Sequence, residues 1–133
     1  MYKRQGRDVA IIGAGGAARS IAVSLAAEGV SSIQIINRSP ERAEQLSDLV
    51  GGTTTYSLHP DVLDSVDVSL DLVINTLPPA GEQAVGRIDL GPLSVSAVLA
   101  DINYYLERPA LLDRGGAAGL RTCLLYTSDA ADE

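Results

Sequence analysis

The stretch that decides the fold is Val9-Ala10-Ile11-Ile12-Gly13-Ala14-Gly15-Gly16-Ala17-Ala18. Its first four residues are an unbroken apolar run, entered from Asp8 and ended by Gly13. An apolar run without alternation predicts a strand buried on both faces, and such strands belong to parallel sheets. From Ala17 to Glu28 the period becomes helical, because Ala18, Ile21, Ala22 and Leu25 recur at spacings of three and four. Gly29 then supplies a left-handed stop.

Between strand and helix, Gly13, Ala14, Gly15, Gly16, Ala17 and Ala18 match GxGxxA, a form of the dinucleotide-binding fingerprint. Gly13 permits the tight turn out of the strand. Gly15 lets a pyrophosphate approach the backbone. Ala18 is small enough for the helix to pack on the strand. The helix start offers unpaired N–H groups and about half a positive charge, which suits a phosphate pair. Similar turns also serve as plain connections and in methyltransferases that bind S-adenosylmethionine. Here a buried strand precedes the turn and a helix follows it, as a dinucleotide site requires.

Further along, Ile33 to Ile36 reads as a second strand. Ser39 is a natural N-cap, with Pro40 at the first helical position and Glu41 favouring the helix start. That helix is expected to run to about Leu49 and to stop at Gly51-Gly52. Thr53 to Tyr56, Leu72 to Ile74 and Val98 to Ile102 read as further strands, and Pro109 to Ala118 as a helix. Alternating strands and helices call for an α/β fold: a three-layer, Rossmann-like, doubly wound parallel sheet in strand order 3-2-1-4-5. Ligands bind such sheets at the carboxyl ends of the strands, where the order reverses. Candidate residues should therefore follow Ile12, Ile36, Ile74 and Ile102.

The end of the second strand separates NAD from NADP. An NAD site places Asp or Glu here, to bond the ribose 2′-hydroxyl. This chain has Asn37 and Arg38, with Arg42 one helical turn further on. Paired guanidiniums supply the bidentate donors that a 2′-phosphate needs, and Ser39 adds a hydroxyl. The competing reading leaves both arginines on a solvated face, with Arg42 paired to Glu41 or Glu44.

Composition bounds the rest. The 133 residues carry 10 basic and 17 acidic side chains, a net charge of −7. Without a basic patch, that balance argues against nucleic acid as a partner. No apolar run approaches the ~18–20 residues that span a bilayer, so no membrane association is expected. Phe and Trp are absent, so the core must be aliphatic.

The two ends look foreign. Met1 to Gln5 reads as the translation of GTGTATAAGAGACAG from a GTG start, and Cys123 to Glu133 begins with that of its reverse complement. Both match a transposase adapter used for sequencing libraries. Residues 1–5 and 123–133 are therefore expected to be adapter-derived, and 6–122 to be one incomplete domain. On that view Cys123 carries no thiol chemistry and no redox signal.

Several pieces together resemble the cofactor domain of shikimate dehydrogenases. They are Gly13-Ala14-Gly15-Gly16-Ala17-Ala18-Arg19, Asn37-Arg38-Ser39 with Arg42 and Ala43, Asn75-Thr76-Leu77-Pro78, and Asp101-Ile102-Asn103-Tyr104. The resemblance covers nearly all of residues 6–122. It implies a cytoplasmic enzyme of aromatic amino-acid biosynthesis that reversibly reduces 3-dehydroshikimate to shikimate with NADPH. By the same resemblance, Asn37, Arg38, Ser39 and Arg42 hold the adenosine 2′-phosphate. Asn75, Thr76 and Leu77 line the nicotinamide-side ribose, and Tyr104 reaches the substrate. The family's catalytic lysine and aspartate belong to a preceding domain outside this chain, so no catalytic residue is expected here. The segment from Tyr104 to Pro109 is about one residue shorter than the family's pattern, and Ser39 replaces a more usual threonine.

Other chemistry has little support. His59 is the single histidine, with no partner to share a metal, and reads as a surface residue. Asp61, Asp64, Asp67 and Asp71 read as a solvated acidic connection. Ser24 and Ser94 have no histidine partner. Asp101 can touch the crevice or cap the turn after its strand. Three rivals remain: the NADP domain of a glutamyl-tRNA reductase, a non-catalytic nucleotide-sensing domain, and a methyltransferase.

Overall fold

The structure, a computed structural model, describes residues 6–103 and 109–125. Six strands form one sheet: β1 (Asp8–Ile12), β2 (Ser32–Asn37), β3 (Thr54–Ser57), β4 (Leu72–Asn75), β5 (Val98–Asp101) and β6 (Arg121–Leu124). Their order is β3-β2-β1-β4-β5-β6, and every described pairing is parallel. The expected order holds across the first five strands. The direction of winding reverses between β1 and β4, which opens a crevice there.

The helices are α1 (Gly16–Glu28), α2 (Pro40–Val50), α3 (Glu82–Gly86) and α4 (Ala110–Ala117). The pleat sends alternate residues of each strand to opposite faces. Val9, Ile11, Ile33 and Ile35 pack against Ala18 and Ala22 of α1 and Ala43 and Leu46 of α2. Ala10, Ile12, Ile36, Val73 and Leu99 pack on the other face with Val62, Val85 and Leu111. Val85 and Leu111 bring α3 and α4 to that face. Because both faces are covered, the central strands carry apolar side chains at nearly every inner position, the buried Gln34 of β2 being the exception. Each fully buried Ile or Leu contributes about 1.5–3 kcal/mol.

Local chemistry sets the ends of the helices. Gly29 stops α1 with φ +85°, where its N–H reaches back to Ala26 and Leu25. Ser39 caps α2, its Oγ accepting from the N–H of Arg42. Close packing fixes one glycine in α4: a Cβ on Gly115 would overlap Leu99 Cδ1.

Four elements have no counterpart in the sequence reading: the short helix α3, the two 3-10 turns at Val62–Ser65 and Pro79–Gly81, and β6. β6 runs two residues past Thr122, so Cys123 and Leu124 of the presumed adapter segment pair with Ala100 and Asp101. β6 is short and opens on Arg121 and Thr122, so it lacks the apolar run that marked the buried strands.

Candidate functional site

The carboxyl ends of β1, β2 and β4 are tied together at Gly13. The N–H of Gly13 donates to Ile36 O at 2.7 Å. Thr76 donates twice to Ile12 O, from its N–H at 2.9 Å and from Oγ1 at 2.7 Å. Gly13 has φ +114°, and a Cβ there would run into Thr76 Oγ1. A side chain is therefore excluded twice, by backbone conformation and by contact.

Gly15 and Gly16 differ. Gly15 has φ −89°, open to any residue, and a Cβ on either would meet nothing within 4 Å. The fold itself does not require glycine at these two positions. What they leave is bare, exposed backbone at the start of α1, and no side chain caps that helix. Uncapped N–H groups facing outward are the donors that an anion takes up.

A cleft of about 370 Å³ continues from this backbone across to α2. Its walls include Ala14, Arg19, Arg42, Gln45 and Leu49. No hydrogen bond or ion pair engages the guanidinium of Arg19 or Arg42 among the described residues, so the expected alternative of an Arg42 pair with Glu41 or Glu44 is not formed. Arg38 is exposed at the end of β2, outside the walls of this cleft. Asn37 is buried and spends its side-chain amide on Ser39 O at 3.1 Å. The Ser39 hydroxyl accepts from Arg42 N at 3.4 Å and donates to Glu41 Oε1 at 3.3 Å.

The loop after β4 is held by a buried polar network. Asn75 donates from Nδ2 to Asp101 Oδ2 at 2.9 Å, and its Oδ1 accepts from Leu77 N at 3.1 Å. Asn103 donates from Nδ2 to Leu77 O at 2.9 Å and to Asp101 Oδ1 at 2.7 Å. Asp101 Oδ1 also accepts from Asn103 N at 2.8 Å, so Asp101 caps the turn after its own strand. Both backbone polar groups of Leu77 are thus committed to asparagines that Asp101 holds. Asn75 has no exposed surface, so its side chain supports the crevice rather than lining it, while the exposed parts of Thr76 and Leu77 border it.

Of the residues expected from sequence, Gly13 to Ala17, Thr76 and Leu77 gather at the β1–β4 crevice. Asn37, Ser39 and Arg42 gather at the head of α2. Tyr104 lies outside the described residues. His59 is exposed, and its Nδ1 accepts from Asp61 N at 3.2 Å. Sequence reasoning gave no role to Arg19 or Asn103. The signal for Arg19 was a cation in the first turn of a helix that has no acidic residue there.

A parallel sheet wound both ways from β1, with a glycine turn at the switch point, defines a Rossmann-like nucleotide-binding fold. The family model described as shikimate / quinate 5-dehydrogenase matches residues 2–81. The shikimate dehydrogenase (NADP(+)) of Chelativorans sp. (strain BNC1) is 39% identical over 115 residues, covering 84% of this chain and 40% of that protein. The chain belongs to the shikimate / quinate 5-dehydrogenase family and spans about 40% of that relative's length. Among solved structures, the shikimate dehydrogenase of Mycobacterium tuberculosis superposes with a TM-score of 0.72 at 25% identity, covering 90% of this chain and 46% of that one. A ligand-free 5-ketofructose reductase of Gluconobacter sp. strain CHM43 also gives 0.72, at 27% identity, covering 90% and 45%. Among the described residues, no helix is long and apolar enough to cross a membrane.

Proposed function

We propose that the chain is the NADP(H)-binding part of a cytoplasmic oxidoreductase that interconverts 3-dehydroshikimate and shikimate. The observation that carries the cofactor reading is one continuous cleft. It joins the uncapped Gly15–Gly16 backbone to the guanidinium of Arg42, and β2 ends in Asn37 rather than a carboxylate. The donors fit an adenine dinucleotide with a 2′-phosphate: backbone N–H groups for the pyrophosphate, and Arg38 and Arg42 for the extra phosphate. The name of the Chelativorans relative, which specifies NADP(+), supports the same cofactor.

When bound, the dinucleotide supplies or accepts the hydride. This chain's residues bind and orient it. Gly13 holds the turn tight. Thr76 and Leu77 border the crevice on the nicotinamide side, and Asn75, Asp101 and Asn103 fix their backbone. By the family resemblance, Tyr104 is assigned to the substrate. The acid–base groups belong to the remaining length that the longer relatives possess. The choice of shikimate rests on the relatives' names and on the family model.

Titrating the chain with NADPH and with NADH, followed by nicotinamide fluorescence, tests the reading. NADPH is expected to bind at least about tenfold more tightly, the worth of one charged hydrogen bond of roughly 1.5–3 kcal/mol. Equal affinities would overturn the arginine assignment. Absence of binding to either would overturn the cofactor reading as a whole.

A further inference from the structure

We infer that Arg19, from the first turn of α1, is a third arginine for the 2′-phosphate, acting with Arg42 across the α1–α2 cleft. The inference rests on the NADP(H) reading above and adds a specificity residue to it.

Three observations carry it. First, Arg19 and Arg42 line the same cleft, approaching from different helices. Side chains lean toward the N-terminus of their helix, so the Arg19 stem runs back toward the Gly15–Gly16 turn. Second, no carboxylate engages either guanidinium among the described residues, although Glu41 and Glu44 flank Arg42 in sequence. Two like charges along one cleft repel, and a shared anion reverses the sign of that interaction. A phosphate monoester near neutral pH carries more than one negative charge, and its oxygens accept from two guanidiniums.

Third, Arg19 breaks a local rule without local compensation. A cation in the first turn opposes the helix dipole, α1 has no acidic residue there, and no side chain caps it. In α2 the first turn also holds a cation, Arg42, but there Glu41 offsets it and Ser39 caps the helix. Among the described α-helices only α1 lacks an acidic residue in its first turn, since α2, α3 and α4 carry Glu41, Glu82 and Asp113 there. An uncompensated cation beside an arginine-lined cleft is the pattern of a binding residue rather than a folding one.

The adenine end of the ligand can be tested without the nicotinamide. Adenosine 2′,5′-bisphosphate carries the extra phosphate, and adenosine 5′-monophosphate lacks it. Calorimetric titration of the full chain with each probe is compared for the parent sequence, Arg19→Ala, Arg19→Lys and Arg42→Ala. Arg19 is exposed, so the fold should survive all of its substitutions, and circular dichroism checks this. Arg19→Ala should lose about tenfold or more in affinity for the bisphosphate and leave the monophosphate within about twofold. Arg19→Lys should recover part of the loss, since it restores the charge but not the planar fork. The loss in a combined Arg19→Ala and Arg42→Ala chain should fall short of the product of the single losses, as for two groups sharing one phosphate.

Equal weakening of both probes by Arg19→Ala would overturn the inference and move Arg19 to the 5′-phosphate. No effect on either probe would make Arg19 a solvated surface residue, again overturning it while the NADP(H) reading stands. Failure of the parent sequence to bind either probe would overturn both readings together.

Discussion

Asn75 donates a 2.9 Å hydrogen bond to Asp101 where solvent reaches neither side chain. This contact joins the carboxyl ends of β4 and β5 directly under the loop that borders the crevice. Asn103 closes the circuit by holding Leu77 O and Asp101 Oδ1 at once. Replacing Asp101 by Ala would remove the acceptor of the Asn75 amide and two of the hydrogen bonds of Asn103, from its N–H and its Nδ2, in the interior. Each buried unpaired donor costs about 1–3 kcal/mol, so Asp101→Ala is expected to lose about 3 kcal/mol or more. Urea unfolding followed by circular dichroism reads this as a lower midpoint at unchanged slope. A change under about 0.5 kcal/mol, the range of ordinary surface substitutions, would mean that the network does not hold the loop.

The glycine turn should divide into a folding glycine and binding glycines. Gly13→Ala forces a Cβ into Thr76 Oγ1 at a backbone angle that L-residues avoid, and should cost at least about 2 kcal/mol of stability. Gly15→Ala meets nothing in the chain and should leave stability within about 0.5 kcal/mol. The same Gly15 change should still weaken NADPH binding by about tenfold or more, because the methyl group occupies the pyrophosphate's approach. Parallel melts and titrations of the two variants read the division. Equal losses of stability would show that the two positions serve the fold alike.

Arg38 and Arg42 should act on one phosphate and not on the dinucleotide in general. Arg38→Ala and Arg42→Ala are each expected to weaken NADPH by about ten- to a hundredfold while changing NADH by less than about threefold. Fluorescence titration of both cofactors measures this. If Arg38→Ala weakens the two cofactors equally, Arg38 does not recognise the 2′-phosphate.

Ser39 joins the start of α2 to the cofactor end of β2. Its Oγ accepts from Arg42 N and caps the helix, at 3.4 Å. Ser39→Ala should cost about 1 kcal/mol of stability, and Ser39→Asp should keep the cap. The aspartate would, however, place a negative charge beside the 2′-phosphate and shift preference toward NADH. A Ser39→Asp chain that melts with the parent sequence yet binds NADPH as tightly would separate Ser39 from the phosphate site.

The central strands were legible because burial on both faces leaves no room for alternation. Val9 to Ile12 and Ile33 to Ile36 are apolar at all but Gln34, and both lie inside observed strands. Helix ends were legible where single residues set them, as at Gly29 and Ser39. β6 was not, because its pairing comes from backbone groups that any non-proline residue carries. The site divides in the same way. The glycine turn and Arg42 could be read from spacing along the chain. The cleft position of Arg19 could not, since it depends on how α1 and α2 pack side by side. Asn75 was expected to line the crevice, and only its burial against Asp101 reveals the supporting role.

The most direct test of the cofactor site is amide chemical-shift mapping of the isotope-labelled chain during titration with NADPH. The largest shifts are expected from Gly13 to Arg19, at Arg38, Ser39, Glu41 and Arg42, and at Thr76 and Leu77. Little change is expected at the opposite ends of the strands, near Asp8, Ser32 and Asp71. Shifts concentrated at those opposite ends, or none at Gly15 and Gly16 under saturating NADPH, would contradict a cofactor site at the glycine turn.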